Sequence, residues 1–518
     1  MSEVYWGGIA AVVVMYAAFL TVGWLAARKV RVGSAAELIL AGRAMPLWIA
    51  TMTMTATWVD GGYLLGTAEG AYKTDGGIAS GLQGGLCFGM SLMLGGVFFA
   101  KKMRAYQFTT LVDPFESRFG KPWAAVLFLP AMFGEVIWGG ELLMAVGATF
   151  SVILNMDLVP AILMSALVVT AYTIVGGMWS VAYTDAFQLA LVPIGLLSAL
   201  PFAMDKVGGL DSCVQQYFQA RSAQAPWSLQ QTVAWWDVSI MLMLGGIPWN
   251  CYFQRVLSCR SPETARWHSF TSGALTMLLT VPPLLLGMAA FVKWPGDQFP
   301  KLQQEPFLTL PTLLRHLTPH WVGILGLGAI IGAVSSSYSA SILSAGSMFS
   351  WNVCRRLLFP AIPVWRMKTI IRTCILLLSI GAVILALLAK SVQELWFFTA
   401  DLIFVLLVPQ LVYALFDTRA NRIGSMTAFF AALVLRLGGG EPILHMEPIV
   451  PYPEWFAGFL SGEPAAWYEM KNDFRVMLFP FKTLAFLVGM TLLPVVSRLT
   501  ARWDPPRPLM RVADEAAM

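Results

Sequence analysis

Thirteen stretches of this chain are apolar for about the length of a membrane span, at 5–27, 47–70, 77–100, 123–151, 158–176, 181–204, 234–256, 268–292, 320–349, 369–389, 394–416, 423–437 and 480–500. A helix of about 20 apolar residues crosses the ~30 Å hydrocarbon layer. Within that layer only a helix or a closed barrel satisfies its own backbone polar groups. The sequence therefore predicts an all-α polytopic membrane protein of thirteen transmembrane helices, with residues 1–518 forming one membrane domain. Composition agrees: 57% of residues are hydrophobic and 12% charged, where a water-soluble chain carries roughly 25% charged residues.

The charges between the runs set the orientation. Arg28, Lys29, Arg31 and Arg43 follow the first run, Lys101, Lys102, Arg104, Arg118 and Lys121 the third, and Arg255, Arg260 and Arg266 the seventh. Arg355, Arg356, Arg366, Lys368 and Arg372 follow the ninth, Arg419 and Arg422 the eleventh, and Arg498, Arg502, Arg507 and Arg511 the last. Most of the 34 Lys and Arg thus fall on one side, which the positive-inside rule makes the cytoplasm, with the N-terminus outside and the C-terminus inside. Because its basic flank comes after it, the first run reads as a retained span rather than a cleaved signal. The segment 438–479 is acidic and placed outside, with Glu441, Glu447, Glu454, Glu463, Glu469 and Asp473. No phosphate-binding GxxxxGK[ST] occurs, so ATP-driven transport is disfavoured. Basic residues confined to short loops make no nucleic-acid surface. The six cysteines show no CxxC spacing and the four histidines no metal-ligand pattern, so neither a redox motif, a disulfide framework nor a zinc site is expected.

Two of the runs are interrupted. The second contains Trp58-Val59-Asp60-Gly61-Gly62, the seventh Gly245-Gly246-Ile247-Pro248-Trp249. Unpaired backbone in hydrocarbon costs several kcal/mol, of order 2–7 per group, so a break persists where it lines a cavity or binds something; close helix packing through small residues is the alternative. Counting spans, the breaks open two sets of five, 47–204 and 234–416. An odd number of spans per set inverts the second relative to the first, the five-plus-five inverted repeat of secondary transporters. The runs 5–27 and 423–500 are then peripheral, and 501–518 is a cytoplasmic tail.

Trp58, Trp138 and Trp249 fall near mid-span, away from the interfacial belts where Trp concentrates. With Phe88 they compose an aromatic box for a cation that donates no hydrogen bonds; ordinary packing is the competing reading. Ser335-Ser336-Ser337 begins a hydroxyl-rich stretch in the ninth run. Serines there either bond their own preceding carbonyls or, beside unwound carbonyls such as those of Ala56 and Val59, offer neutral oxygens to sodium. Asp60, Glu135, Glu141 and Asp185 are intramembrane carboxylates, functional candidates by their cost, with a structural ion pair or a protonated acid as alternatives.

The stretches 51–62 (TMTMTATWVDGG), 94–104 (LGGVFFAKKMR), 176–188 (GGMWSVAYTDAFQ), 243–257 (MLGGIPWNCYFQRVL), 341–349 (SILSAGSMF) and 435–442 (LRLGGGEP) resemble the sodium/solute symporters (solute carrier family 5), and within them the high-affinity choline transporters. The resemblance implies a sodium-coupled, chloride-dependent carrier for choline or a related quaternary ammonium in the plasma membrane, working by alternating access with no covalent step, and not an enzyme. It implies Trp58, Trp138, Trp249 and Phe88 as pocket walls, with Phe88 where the family has Tyr. It implies sodium ligands from Ala56, Val59, Ala333, Ser336 and Ser337, and a cation-coupling role for Asp185. Three positions depart from the pattern: Asp60 stands for Gly, Glu141 for a small residue and Ser339 for Asp. The two new carboxylates are expected to meet the substrate ammonium or to retune coupling. They keep open a betaine, another amine or an osmolyte as substrate; a transporter-like sensor is the more distant alternative.

Overall fold

The computed structural model describes residues 6–28, 35–73, 76–222, 226–295, 299–359, 362–388, 392–441, 444–456, 460, 462–471 and 474–510. Lys29, Arg31, Arg511, Asp473 and Pro442, used above for loop charge and resemblance, lie outside the described residues.

Helices occupy all the apolar runs. In order they are α1 (Trp6–Ala27), α2 (Leu47–Trp58), α3 (Gly61–Tyr72), α4 (Gly77–Leu94), α5 (Lys121–Ile153), α6 (Leu158–Asp205), α7 (Leu229–Gly245), α8 (Asn250–Ser258), α9 (Pro262–Leu279), α10 (Val281–Lys293), α11 (His320–Met348), α12 (Val364–Leu388), α13 (Val392–Phe416), α14 (Arg422–Gly438) and α15 (Phe481–Leu499), with shorter helical pieces between them. Among the described residues nine helices are long and apolar enough to cross a membrane unaided. The four remaining runs explain the difference from thirteen. Two are the interrupted ones, now α2/α3 and α7/α8. A third is joined to its successor in α6, where Gly177 turns the backbone at φ 59°, ψ −160°, a conformation that excludes a Cβ. The fourth, α14, has 17 residues.

The arrangement places one helix at the centre. α11 packs most heavily on α6 and α5, and its span (His320–Arg355) is 89% buried, while those of α1 and α15 are 28% buried. α14 and α15 pack chiefly on each other and on α13, and α1 on α6. The segment 444–479 carries a hairpin of β1 (Tyr468–Lys471) and β2 (Phe474–Met477), antiparallel with Tyr468 opposite Met477. It has its own small core of Tyr452, Trp467, Met477, Phe479 and Phe481.

Not all the loop charges lie free at a surface. Arg255 is fully buried and pairs with Asp185, while Arg104 and Arg118 donate to the carbonyls of Cys259 and Ala414. As described, all six cysteines are free thiols.

Candidate functional site

Each break is a helix end that must be capped. α2 stops at Val59 (φ −87°, ψ 73°), and Asp60 (φ −96°, ψ −173°) starts α3 as its N-cap, its Oδ1 accepting from the Tyr63 amide at 2.6 Å. The carboxylate that departs from the family pattern is therefore the cap of the restarted helix, a short acceptor at the position where one is most favoured. The second break has no such side chain of its own. Trp249 is the N-cap of α8 without a side-chain cap. Instead Glu135 of α5 supplies Oε1 to the Cys251 amide at 3.2 Å, and the same oxygen accepts from Ser344 Oγ at 2.5 Å. Glu135 thus has a structural partner at the break.

Between the two breaks lies a small, tightly walled cavity lined by Trp58, Asp60, Phe88, Trp138, Trp249 and Ala400. The Trp58, Trp138 and Trp249 rings are mutually close to perpendicular: 74° at 6.1 Å for Trp58–Trp138, 82° at 6.5 Å for Trp58–Trp249, and 71° at 5.3 Å for Trp138–Trp249. Three indoles so disposed form the corner of a box. Phe88 stands against Trp58 at 6.2 Å and 69°, and every wall is at most 8% exposed. Two indoles are fixed by their own N–H groups: Trp138 Nε1 donates to Asp60 Oδ2 at 2.7 Å, and Trp249 Nε1 to the Gly245 carbonyl at 2.9 Å. Each Asp60 oxygen thereby accepts one bond from the protein.

Glu141 is placed differently from expectation. It is fully buried but does not line the cavity. Its carboxyl lies against the backbone of Gly62, in the space that a Cβ there would fill. Helical spacing put Glu141 on the face of Trp138 but carried no information on what faced its far end.

A second cluster lies where α11 crosses the end of α2. Ser336 Oγ is 2.8 Å from the Ala56 carbonyl and 2.9 Å from that of Ala333. Ser337 Oγ is 2.9 Å from the Thr57 carbonyl, 3.0 Å from that of Ala333 and 3.3 Å from that of Ala56. These serines bond back to the Ala333 carbonyl of their own helix and also reach the carbonyls at the end of the broken one. Five neutral oxygens converge, the donor set that suits a hard monovalent cation. The Thr57 carbonyl was not among the expected oxygens; Val59, next along the chain from Trp58, donates its amide to the Thr55 carbonyl. Asp185 accepts from Thr53, one turn earlier on α2, and from Arg255 Nη2 at 3.2 Å. It ties α2, α6 and α8 together as half of a buried ion pair, alongside the serine–carbonyl cluster and not within its hydrogen bonds.

Ala400, Thr57, Tyr252 and Arg255 were not anticipated as site residues. Tyr252 backs Trp58 at 6.4 Å. An alanine or threonine in an apolar run carries no signal, but Tyr252 and Arg255 lie within one turn or two of the second break, a signal that could have found them.

The model of the sodium:solute symporter family matches residues 38–432. The human high affinity choline transporter 1 is 38% identical over 498 residues, covering 93% of this chain and 83% of the relative. The Drosophila melanogaster high-affinity choline transporter 1 is 37% identical, covering 95% and 78%. A Na+-coupled sialic acid symporter, solved in a substrate-bound outward-open state, superposes with a TM-score of 0.72 at 18% identity, covering 97% of this chain and 99% of that one. That similarity shows the transporter fold.

Proposed function

The chain belongs to the sodium:solute symporter family, and we propose that it takes up choline, driven by sodium, with chloride as a further co-ion. The family is one of transporters, not enzymes, and the substrate leaves chemically unchanged.

The observation that carries the choline reading is the corner of three near-perpendicular indoles around a cavity whose one carboxylate wall is Asp60. A quaternary ammonium donates no hydrogen bond, and π-faces attract it at ~0.5–2 kcal/mol per ring. A primary amine would bring three N–H donors, and among the lining residues only Asp60, already accepting from Tyr63 and Trp138, has a side-chain acceptor for them. A betaine would bring its own carboxylate against Asp60. Aromatic faces with so few acceptors favour the quaternary ammonium over both.

In the mechanism, sodium binds the oxygens of Ala56, Thr57, Ala333, Ser336 and Ser337, joining α2 to α11. This fixes the end of α2 and, next to it, Trp58. Trp58 then completes the box, so sodium and substrate steady the same broken helix from opposite sides. Asp185 and Arg255 hold α2, α6 and α8 in register during the movement. The residues 47–204 and 234–416 act as two five-helix repeats of opposite orientation that rock about the site, with 5–27 and 423–500 peripheral. The carrier resides in the plasma membrane with its N-terminus outside and C-terminus inside. The two breaks at corresponding positions and the loop charges support this arrangement.

The test uses 3,3-dimethylbutan-1-ol, which keeps the shape of choline and replaces its cationic nitrogen with carbon. It is expected to leave sodium-driven choline uptake unaffected at concentrations where tetramethylammonium inhibits it. Equal competition by the neutral alcohol would refute recognition by charge.

A further inference from the structure

Glu141 is the one ionisable group at the site without a task in this mechanism. It is 0% exposed, and neither carboxyl oxygen has a hydrogen-bond partner. An ionised carboxylate so placed would cost far more than a neutral one. Nothing nearby offsets the charge. Asp60, two residues from Gly62, is the charged group that acts on it, and it is of the same sign.

The other elements packed on α5 bring no cation to this point. Asp185 of α6 is held by Arg255, and Asp401 of α13 by Arg436. Tyr338 of α11 is bonded to Ser379, and Tyr63 of α3 to Thr276 and Thr280. α12 crosses at Gly140 with Ala382, Leu385 and Ala386. In the short helix Thr309–His316, Arg315 donates to the Val152 carbonyl and His316 packs on Trp294 and Phe299. The charged residues of Asp113–Phe119 meet α5 near Lys121, and Phe349–Leu358 meets it near Phe128, both well before Glu141. On α5 itself, Glu135 is engaged by Ser344 and Cys251.

Geometry ties this carboxyl to the moving part. It sits on bare backbone at Gly62, in the first turn of the half-helix α3 that Asp60 caps. A side chain at 62 would exclude it. When α3 departs from α5, the same carboxyl meets the space that opens.

We propose that Glu141 is a proton-binding site coupled to the broken helix: it holds a proton while α3 is seated against it and releases that proton when α3 withdraws and water enters. The inference rests on the reading of the cavity as a closing cation site. Its consequence is that closure around sodium and substrate takes up a proton. Raising the pH favours the unseated, ionised arrangement and slows transport, toward a limit of about 10-fold per pH unit for one linked proton.

The experiment has two arms. In proteoliposomes with an inward sodium gradient and equal pH on both sides, choline uptake is compared between about pH 6 and about pH 8. The wild-type rate is expected to fall as pH rises, and Glu141→Gln, which is neutral at every pH, to bring the ratio of the two rates close to one. A variant that keeps the wild-type ratio would overturn the proposal. In weakly buffered detergent solution, sodium and choline are added to wild-type protein beside a pH indicator while Trp fluorescence reports binding. Proton uptake accompanying the fluorescence change is expected; binding with no pH change overturns the proposal even if Glu141→Gln fails to fold. Absence of a fluorescence change counts against the choline reading instead, and the proton is then scored on addition of sodium alone, where no uptake overturns the proposal.

Discussion

Asp60 has two roles that a neutral residue could share only in part: it caps α3 and it charges the cavity. Asn keeps the cap and removes the charge. Asp60→Asn, whose amide nitrogen cannot accept from the Trp138 indole N–H, is therefore expected to weaken choline binding roughly tenfold or more, from the lost attraction of unit charges at short range in a partly screened interior, and to lower thermal stability through the lost acceptor of Trp138. Trp fluorescence titration checks this, and unchanged affinity would make the carboxylate purely structural. Trp58→Ala and Trp249→Ala each remove one face of the box and are expected to weaken binding by about 2- to 30-fold, from ~0.5–2 kcal/mol per ring, while the protein still reaches the membrane. The box residues were legible because tryptophan in mid-span is out of place, and Trp58, Trp138, Trp249 and Phe88 do line one cavity. Ala400 was not, since nothing distinguishes a wall alanine from any other. Glu141 was legible as a buried acid, but its place against Gly62 was not, because spacing fixes the face of a helix and leaves open what lies across from it.

At the level of the element, the Gly pairs and Pro248 marked both breaks, and the structure breaks there. What ends and restarts each helix was only half visible. Asp60 caps within its own chain segment, but α8 is capped by Glu135, more than a hundred residues earlier, a relation that only the packing of α5 creates. The hydroxyls of α11 serve the orphan carbonyls of α2 in the same way. Ser336→Ala is expected to raise the sodium concentration for half-maximal uptake by about 5-fold, from ~1 kcal/mol for one oxygen contact, with choline affinity at saturating sodium preserved. Equal sodium dependence would exclude this cluster as the sodium site. Gly62→Ala is expected to destabilise, because its Cβ would strike the Glu141 carboxyl. Combining it with Glu141→Ala should recover part of the loss, a coupling of about 0.5–3 kcal/mol by double-mutant cycle in thermal denaturation. Additive losses would mean that the two do not touch.

For the molecule as a whole, hydropathy and loop charge conveyed a helical membrane transporter, and the central position of α11 follows from its small and hydroxylated residues, which allow close approach on several sides. Hydropathy had no access to the buried ion-pair network that joins α13, α14 and α15. Arg436 bonds Asp401 and Glu441, and Lys482 stands 3.6 Å from Asp401. Arg436→Ala removes the buried cation shared by Asp401 and Glu441 and is expected to destabilise by ~3–5 kcal/mol, read as a lowered thermal midpoint in detergent. The central claim is that a sodium gradient drives choline through this molecule. The most direct measurement is uptake of radiolabelled choline into proteoliposomes containing the purified chain, with sodium outside and potassium inside, against the same vesicles with sodium at equal concentration on both sides. Choline accumulating above its external concentration only with the gradient is the expected result; accumulation that is the same in both, or absent in both while the protein is folded, would contradict it.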